Sequence, residues 1–120
     1  MARYVDAFVL PVPKRKLGAY KRLSKFAGRL WKKHGALEYC ECVQEDTKVP
    51  CGVPFPRIAR SKPGEVVFFS WIAYRSRAHR DRVNAKVMSD PEMAKMGDPK
   101  DMPFDLKRMA WGGFEALVDM

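Results

Sequence analysis

The stretch Glu65–Pro91, EVVFFSWIAYRSRAHRDRVNAKVMSDP, decides the fold, because it joins the least polar strand of the chain to a charged helix. Side chains alternate between the two faces of a strand, and here both faces are largely apolar. One face carries Val66, Phe68, Ser70, Ile72 and Tyr74, and the other carries Val67, Phe69, Trp71 and Ala73. Such a strand is central in a sheet that is covered on both sides. We therefore expect helices against one face and a second sheet or a second subunit against the other.

The segment at 3–10, RYVDAFVL, is predicted to be the first strand, and both of its faces are again mostly apolar. We expect Pro11 and Pro13 to end this strand, because proline cannot donate a hydrogen bond to the ladder. The strand within the quoted stretch is predicted at 65–74 and is the third in chain order.

Two further strands are predicted from less regular patterns. The segment at 36–44, ALEYCECVQ, alternates apolar with polar residues, which is typical of a strand near the edge of a sheet. The segment at 108–118 contains Gly112-Gly113. Adjacent glycines in a strand indicate a bulge, a sharp bend, or the close approach of another group to the backbone.

An amphipathic helix is predicted from Lys14 to His34, where apolar residues recur at intervals of three and four and basic residues fill the opposite side. Gly35 supplies its C-terminal stop. A second, more polar helix is predicted from Arg77 to Met88, with Ser76 as its N-cap. Its buried stripe is expected to contain His79, Val83 and Val87, together with Ala78 and the stem of Lys86.

Two long segments are rich in proline. The segment at 45–64 is predicted to be an irregular loop, and the segment at 91–107 is predicted to be a short helical turn followed by a second irregular loop. Compact domains rarely keep loops longer than about 12–15 residues without a binding, lid or interface role. These segments are therefore expected to close a cleft or to contact a partner.

The predicted order is strand, helix, strand, strand, helix, strand, which is the order of a ferredoxin-like α+β fold. We expect a single domain over residues 1–120, with an antiparallel sheet and both helices on one of its faces. The other face then needs a cover. A homodimer that packs sheet on sheet, as a dimeric α/β barrel, would supply it.

The net charge of +9 comes from 23 lysines and arginines against 14 acidic residues. Nine of the basic residues fall between Ala7 and Leu37, a stretch with no acid. A polyanion partner is one interpretation. The other is the solvated side of an amphipathic helix. The chain also lacks the aromatic signature of RNA-binding sheets, so we predict no specific nucleic-acid binding.

We predict a cytoplasmic protein that does not enter a membrane. The longest apolar runs are far below the length of a membrane span, and the N-terminal sequence lacks the order of a signal peptide. Three cysteines, Cys40, Cys42 and Cys51, make an odd number, and free thiols are expected in a reducing compartment. Their spacing matches no common zinc motif, so no metal site is predicted.

Four long motifs closely resemble an uncharacterised bacterial family, the YbaA-like proteins, which are grouped with the dimeric α/β-barrel proteins. The motifs are YVDAFVLPVPKRKLGAY at 4–20, WKKHGALEYCECV at 31–43, VFFSWIAYRSRAHRDRVNAKVMSDP at 67–91 and KRMAWGGFEALVD at 107–119. The wider superfamily includes cofactor-free monooxygenases, haem-processing enzymes, small-ligand regulators and isomerases. The resemblance therefore implies a pocket between sheet and helices. Several of those enzymes have two histidines after the third strand, whereas this chain has His79 alone.

His79 is a candidate general base or ligand-binding group, because its ordinary pKa lies near neutral pH. The alternative is a histidine that is hydrogen-bonded at the start of a helix. Asp6 lies among apolar neighbours in a strand, so it either pairs with a basic residue or lines a wet pocket. The aromatic candidates for a pocket wall are Trp71, Tyr74 and Trp111, although aromatic residues in strands more often form core.

No phosphate-binding loop, dinucleotide fingerprint or hydrolase motif occurs in the sequence, so no cofactor is predicted. Three kinds of protein remain: one that binds or acts on a small molecule in a pocket between sheet and helices, an interaction subunit without chemistry, and a weak nucleic-acid binder. We rank the protein that binds or acts on a small molecule above the other two kinds. The sequence does not decide whether the protein is an enzyme.

Overall fold

The third strand lies inside the sheet, as its two apolar faces predicted. A computed structural model describes residues 2–120. Within that range the sheet has four antiparallel strands in the order β2-β3-β1-β4. Their bounds are β1 Tyr4–Pro13, β2 Glu38–Val43, β3 Glu65–Tyr74 and β4 Ala110–Glu115. The predicted α+β class is confirmed, and the order of the strands is compatible with a ferredoxin-like fold.

The helices of the described residues are α1 Leu17–Lys33, α2 Phe55–Ile58 and α3 Arg77–Ser89. A 3₁₀ turn, Lys14–Lys16, leads into α1. Three more 3₁₀ turns follow α3, and their bounds are Pro91–Met96, Pro99–Asp101 and Leu106–Arg108. None of the helices in residues 2–120 is both long and apolar enough to span a membrane.

The prediction that Pro11 ends the first strand is wrong, because β1 continues to Pro13 and pairs with β3 over its full length. The backbone N–H of Lys14 donates to Gly64 O at 2.8 Å, on the β3 side. Since direction alternates along a strand, the nitrogens of Pro11 and Pro13 point to the other side. There β4 pairs only as far as Val9, so neither proline interrupts a ladder hydrogen bond.

Helices α1 and α3 pack on the same face of the sheet, and the core lies between. Ser76 caps α3 by accepting a hydrogen bond from His79 N at 3.2 Å, as predicted. In the predicted buried stripe of α3, His79, Val83 and Val87 are buried, whereas Ala78 and Lys86 are exposed. The buried residues that meet in the main cluster come from both helices, from the segment after α1 and from the sheet: Tyr4, Leu30, Ala36, Ile72, Tyr74, Val83 and Val87.

The opposite face of the sheet stays largely open in the single chain. Phe69 on β3 and Phe114 on β4 expose 40% and 62% of their surface, respectively. The segment at 45–64, predicted to be irregular throughout, contains α2, and Phe55 at its start packs edge-on against Phe69 with ring centroids 6.2 Å apart. This short helix covers only one corner of the open face.

The two glycines of β4 lie in a strand of continuous register, opposite Ala7 and Asp6 of β1. Of the three features that the glycine pair suggested, the close approach of another group is the one found. A Cβ atom at Gly113 would lie 2.7 Å from two carbon atoms of the Tyr4 ring, whereas a Cβ at Gly112 would meet nothing within 4 Å. Glycine at 113 therefore leaves room for Tyr4.

Candidate functional site

A cavity of about 240 Å³ lies between the sheet and α1. Its walls are mostly aromatic and aliphatic side chains from β1, β2, β3 and α1 and from the segment after α3. The residues of these walls include Phe8, Leu10, Leu23, Ala27, Trp31, Ile72, Met96, Phe104 and Met109. Apolar walls of this kind are typical of small-molecule sites. The few polar groups then decide what such a site can recognise.

Glu41 is the acidic residue of the cavity wall, and two phenols bind its carboxylate. The hydroxyl of Tyr20 donates to Oε1 at 2.8 Å, and the hydroxyl of Tyr39 donates to Oε2 at 3.3 Å. Burial, followed by the negative charge of Glu41, raises the pKa of both phenols far above the ordinary value of 10.0. Both tyrosines therefore remain protonated donors at neutral pH.

The position of Glu41 follows from the alternation along β2. Tyr39, Glu41 and Val43 share one face of the strand, and their partners on β3 include Ile72 and Ser70 of the helix-facing side. Tyr20 then reaches Glu41 from α1. Gly28 on α1 makes room for this approach, because a Cβ atom there would lie 2.9 Å from the ring of Tyr39.

A second, open depression of about 790 Å³ runs outside the cavity, between α1 and the edge strand β2. We call it the outer groove. It shares Tyr20, Ser24, Tyr39 and Glu41 with the cavity, so these side chains stand between the two spaces. The outer groove is bordered by basic residues of α1, which are Lys21, Lys25, Arg29 and Lys32.

One side of the cavity is covered by the segment at 91–109, which we call the closing segment. Arg108 fixes its end through a bidentate ion pair with Glu65, in which both N···O distances are 2.7 Å. This guanidinium holds the pKa of the Glu65 carboxyl at about 2, below its ordinary value of 4.5. Asp90, just before the segment, pairs with Lys33 at 2.9 Å and His34 at 2.7 Å. The cover is thus fastened at both ends.

His79, the foremost candidate from sequence, is 5% exposed at the start of α3. Its Nδ1 accepts a hydrogen bond from the backbone N–H of Arg75 at 3.0 Å. Its Nε2 faces Gly35, and burial lowers the pKa of the ring below 6.5. Among the described residues, His79 is not part of the cavity wall. A ligand-binding role for His79 stays a prediction.

Asp6 pairs with a basic residue, which is the first of the two interpretations that its sequence context left open. Arg80 Nη1 lies 3.0 Å from Asp6 Oδ1, and the guanidinium also stacks 4.8 Å from the centre of the Tyr4 ring. Burial raises the pKa of Asp6, and Arg80 opposes that rise. The pair belongs to the packing between β1 and α3, behind the cavity.

The three aromatic candidates lie in different places. Trp71 is part of the cavity wall, but its ring lies beside Phe69 on the open face, with centroids 6.1 Å apart. Tyr74 is fully buried in the core. Trp111 stacks on Phe8 at the edge of the cavity, with centroids 6.0 Å apart and planes at 16°. The structure does not bring these three rings together around one space.

The thiols of Cys40 and Cys42 lie 3.8 Å apart on the open face of β2, and Cys51 is exposed. Burial raises the pKa of Cys40. Within residues 2–120 no three potential ligand side chains are grouped as a metal site would require. The cysteines take no part in the cavity wall that the structure describes.

Glu41 and Tyr20 are the site residues that sequence reasoning did not identify. The alternation at 36–44 already placed Glu41 and Tyr39 on one face. It did not show that this face meets Tyr20, because the sequence does not reveal how α1 is rotated against the edge of the sheet. The usable signal was an acidic residue on the inward side of a strand, where a carboxylate needs donors.

Comparison with known proteins agrees with the motifs in the sequence. Residues 3–106 match a family model described as "Protein of unknown function (DUF1428)". The chain is 44% identical over 119 residues to "Uncharacterized protein YbaA" of Escherichia coli strain K12, and 98% of each chain is covered. Proteins of the same description from Escherichia coli O157:H7 and Shigella flexneri show the same identity and coverage.

Among solved structures, the chain is similar to "De novo designed protein Foldit4", with a TM-score of 0.45 and 14% identity over 98% of this chain and 99% of that one. This likeness bears on neither function nor site. The family model and the relatives, in contrast, each extend over most of the sequence. The chain therefore belongs to an uncharacterised family of YbaA-like proteins, DUF1428.

Proposed function

We propose that the protein binds a small molecule in the cavity between the sheet and α1. The observation that carries this proposal is an apolar space of about 240 Å³ with a carboxylate and two phenols in its wall. Ligand sites are concave and mostly apolar, with a few well-placed polar groups that fix orientation. The volume lies below the roughly 300–1,000 Å³ of sites for drug-sized molecules. The ligand is therefore a compact one.

The closing segment supports the same proposal. It places Met96, Phe104 and Met109 over the cavity, and two ion-pair clusters fasten it. A long segment without regular strands or α-helices that covers an apolar space is typical of a binding or lid role. Methionine side chains in particular adapt to ligands of different shape.

A cavity-filling substitution tests the proposal. Ala27 is buried on α1 and lines the cavity. Ala27→Leu should abolish binding of the compounds that a fragment screen finds for the wild type, because the added side chain occupies their space. Ala85→Leu is the matched control, since Ala85 is exposed on α3. Ser24→Leu is a second filling variant, for use if Ala27→Leu does not fold.

Ligand-detected NMR measures binding, and thermal unfolding confirms that each variant is folded. Fragments that bind the wild type and Ala85→Leu but neither filling variant support the proposal. A screen whose fragments bind all four proteins alike contradicts it, because those compounds would then sit elsewhere on the molecule.

We also propose that the protein is a homodimer in which two open sheet faces pack as in a dimeric α/β barrel. Support comes from the apolar side chains that the single chain leaves uncovered on that face, Phe69 and Phe114 among them. Light scattering after size exclusion should give twice the 13.8 kDa chain mass at micromolar concentration. Phe69→Lys should shift the species to a monomer, and Leu106→Lys, at an exposed position of the closing segment, should not. A monomeric wild type would contradict the proposal.

The proposed site of action is the cytoplasm. The odd count of three cysteines favours free thiols in a reducing compartment. Fractionation of the host cell, with the chain detected by antibody, checks this proposal. Recovery in the periplasm would contradict it.

A further inference from the structure

We propose that Glu41 is the anchor of the site and that it selects a compact apolar amine, which binds as its ammonium cation. This inference rests on the proposed function, because it assumes that the cavity admits a ligand. It adds the chemical class of that ligand and the residue that recognises it.

The first argument is the hydrogen bonding of Glu41. An ionised carboxylate offers about four lone-pair positions. Tyr20 occupies one position on Oε1, and Tyr39 occupies one on Oε2. Each oxygen can therefore accept another hydrogen bond. The side chain is half-buried in the wall of the cavity, so a donor that enters the cavity can reach it.

The second argument is charge. Within residues 2–120, no basic side chain lies within 4.0 Å of the Glu41 carboxylate. The other half-buried and buried carboxylates behave differently: Asp6 pairs with Arg80, Glu65 with Arg108, Asp90 with Lys33 and His34, and Glu92 with Lys95. A carboxylate removed from water is stabilised by an opposite charge. Among the described residues Glu41 thus has no basic partner, and an ammonium ion in the cavity would supply the opposite charge.

The third argument is the aromatic lining. Rings of Tyr20, Tyr39 and Trp31 all contribute to the wall. An ammonium group is attracted to the faces of such rings, and the attraction grows when water is excluded. An apolar body on the amine would fill the aliphatic part of the space. A carboxylate plus several aromatic rings is thus a chemical match for an ammonium ion on an apolar group.

An anionic ligand is the competing expectation, because the outer groove is bordered by four basic residues of α1. Those side chains are exposed, however, so water and salt screen their charge. An anion that moved from the outer groove into the cavity would also meet Glu41 in its wall. Because the basic side chains are exposed and Glu41 is half-buried, we expect the cavity to bind a cation and the surface of α1 to attract anions.

Three probes of one shape and different charge test the inference: benzylamine, benzyl alcohol and benzoate. Binding to the full-length protein is measured by NMR titration at neutral pH. Benzylamine should bind at least about tenfold more tightly than benzyl alcohol, and benzoate should bind more weakly than either. A tenfold ratio corresponds to about 1.4 kcal/mol, which is close to the lower end of what a single hydrogen bond to a charged group contributes.

Glu41→Gln is the decisive variant, because it removes the charge and keeps the size of the side chain. Its amide oxygen still accepts from one phenol, and its amide N–H can donate to the other phenol. It should lower the affinity for benzylamine at least about tenfold and change that for benzyl alcohol by less than about threefold. The control is Glu38→Gln, which removes a carboxylate from the same strand at an exposed position paired with Arg3. That control should leave both affinities unchanged. Circular dichroism and thermal unfolding establish that both variants are folded.

The outcomes separate this inference from the proposed function. If benzyl alcohol binds and Ala27→Leu abolishes that binding, but benzylamine has no advantage, the cavity is a ligand site and the choice of an amine is wrong. Preference for benzoate, or an equal loss of both ligands in Glu41→Gln, also overturns the role of Glu41. If none of the three probes binds, the amine inference fails, and the proposed function then depends on the fragment screen with the filling variants.

Discussion

Removal of the Glu65 carboxylate should loosen the closing segment and destabilise the protein in a pH-dependent way. Glu65 and Arg108 expose only 8% and 11% of their side-chain surfaces, and two hydrogen bonds of 2.7 Å join them. In Glu65→Gln the guanidinium keeps its bond to Asp105 at 3.1 Å but loses the bidentate partner. A buried cation without a full partner is costly.

The pKa of Glu65 gives the magnitude. Its fall from 4.5 to about 2 is a shift of roughly 2.5 pKa units, which at 1.36 kcal/mol per unit sets an upper bound of about 3 kcal/mol. The loss is partly offset, because Arg108 keeps its hydrogen bonds to Asp105 and to the backbone oxygen of Arg60. We therefore expect Glu65→Gln to lower the free energy of unfolding by about 2 kcal/mol at pH 7.

The sign of the pH dependence follows from the lowered pKa. The ion pair stabilises the fold fully above pH 4.5, and that stabilisation is lost as the pH falls toward about 2. Urea unfolding of the wild type and Glu65→Gln should thus give a difference that shrinks between pH 5 and pH 2. Glu115→Gln, at an exposed position of β4, is the control and should match the wild type throughout. A difference that is absent at pH 7, or unchanged at pH 2, would refute the reasoning.

Three further predictions concern the sheet, the helix start and the basic surface. Gly113→Ala should lower the free energy of unfolding by roughly 1–3 kcal/mol, because the new methyl group meets the ring of Tyr4. Gly112→Ala should leave the free energy of unfolding unchanged or raise it by up to about 1 kcal/mol. Urea unfolding compares the two variants, and equal effects would contradict the packing argument. If the ring of His79 is structural, His79→Ala should lower the free energy of unfolding by about 1–3 kcal/mol, since the Arg75 amide loses its acceptor. Unchanged stability together with lost ligand binding would instead favour a role of His79 in the site. Binding to nucleic acid should be weak and should vanish between low and physiological salt in an electrophoretic shift assay, and sequence-selective binding at physiological salt would contradict this.

The main elements of the fold could be predicted because their patterns are local. Residues 65–74 have two apolar faces, and this alone placed the third strand inside the sheet, where the structure has it. The cap at Ser76 and the buried stripe of α3 also depend only on near neighbours in the sequence. The extension of β1 through Pro11 and Pro13 could not be predicted in the same way. It depends on where β4 stops pairing, about 100 residues later in the chain.

The candidate site was less accessible to sequence reasoning, because its contacts join distant segments. The bond between Tyr20 and Glu41 depends on how α1 sits over the edge strand. Asp90 reaches Lys33 and His34 from the far end of α3, and no local pattern indicates that pairing. The sequence singled out His79 as an isolated histidine. In the structure, its ring accepts a hydrogen bond from the backbone N–H of Arg75. Residue type alone did not show on which side of α3 this ring lies relative to the cavity.

The most direct test of a ligand site at Glu41 is a crystal structure of the full-length protein soaked with benzylamine. We predict electron density for the ring between the sheet and α1, with the amine nitrogen within hydrogen-bond distance of a Glu41 carboxylate oxygen and both phenol contacts retained. Density for benzylamine only on the open face of the sheet or in the outer groove would contradict the prediction, as would a cavity filled by the protein's own side chains.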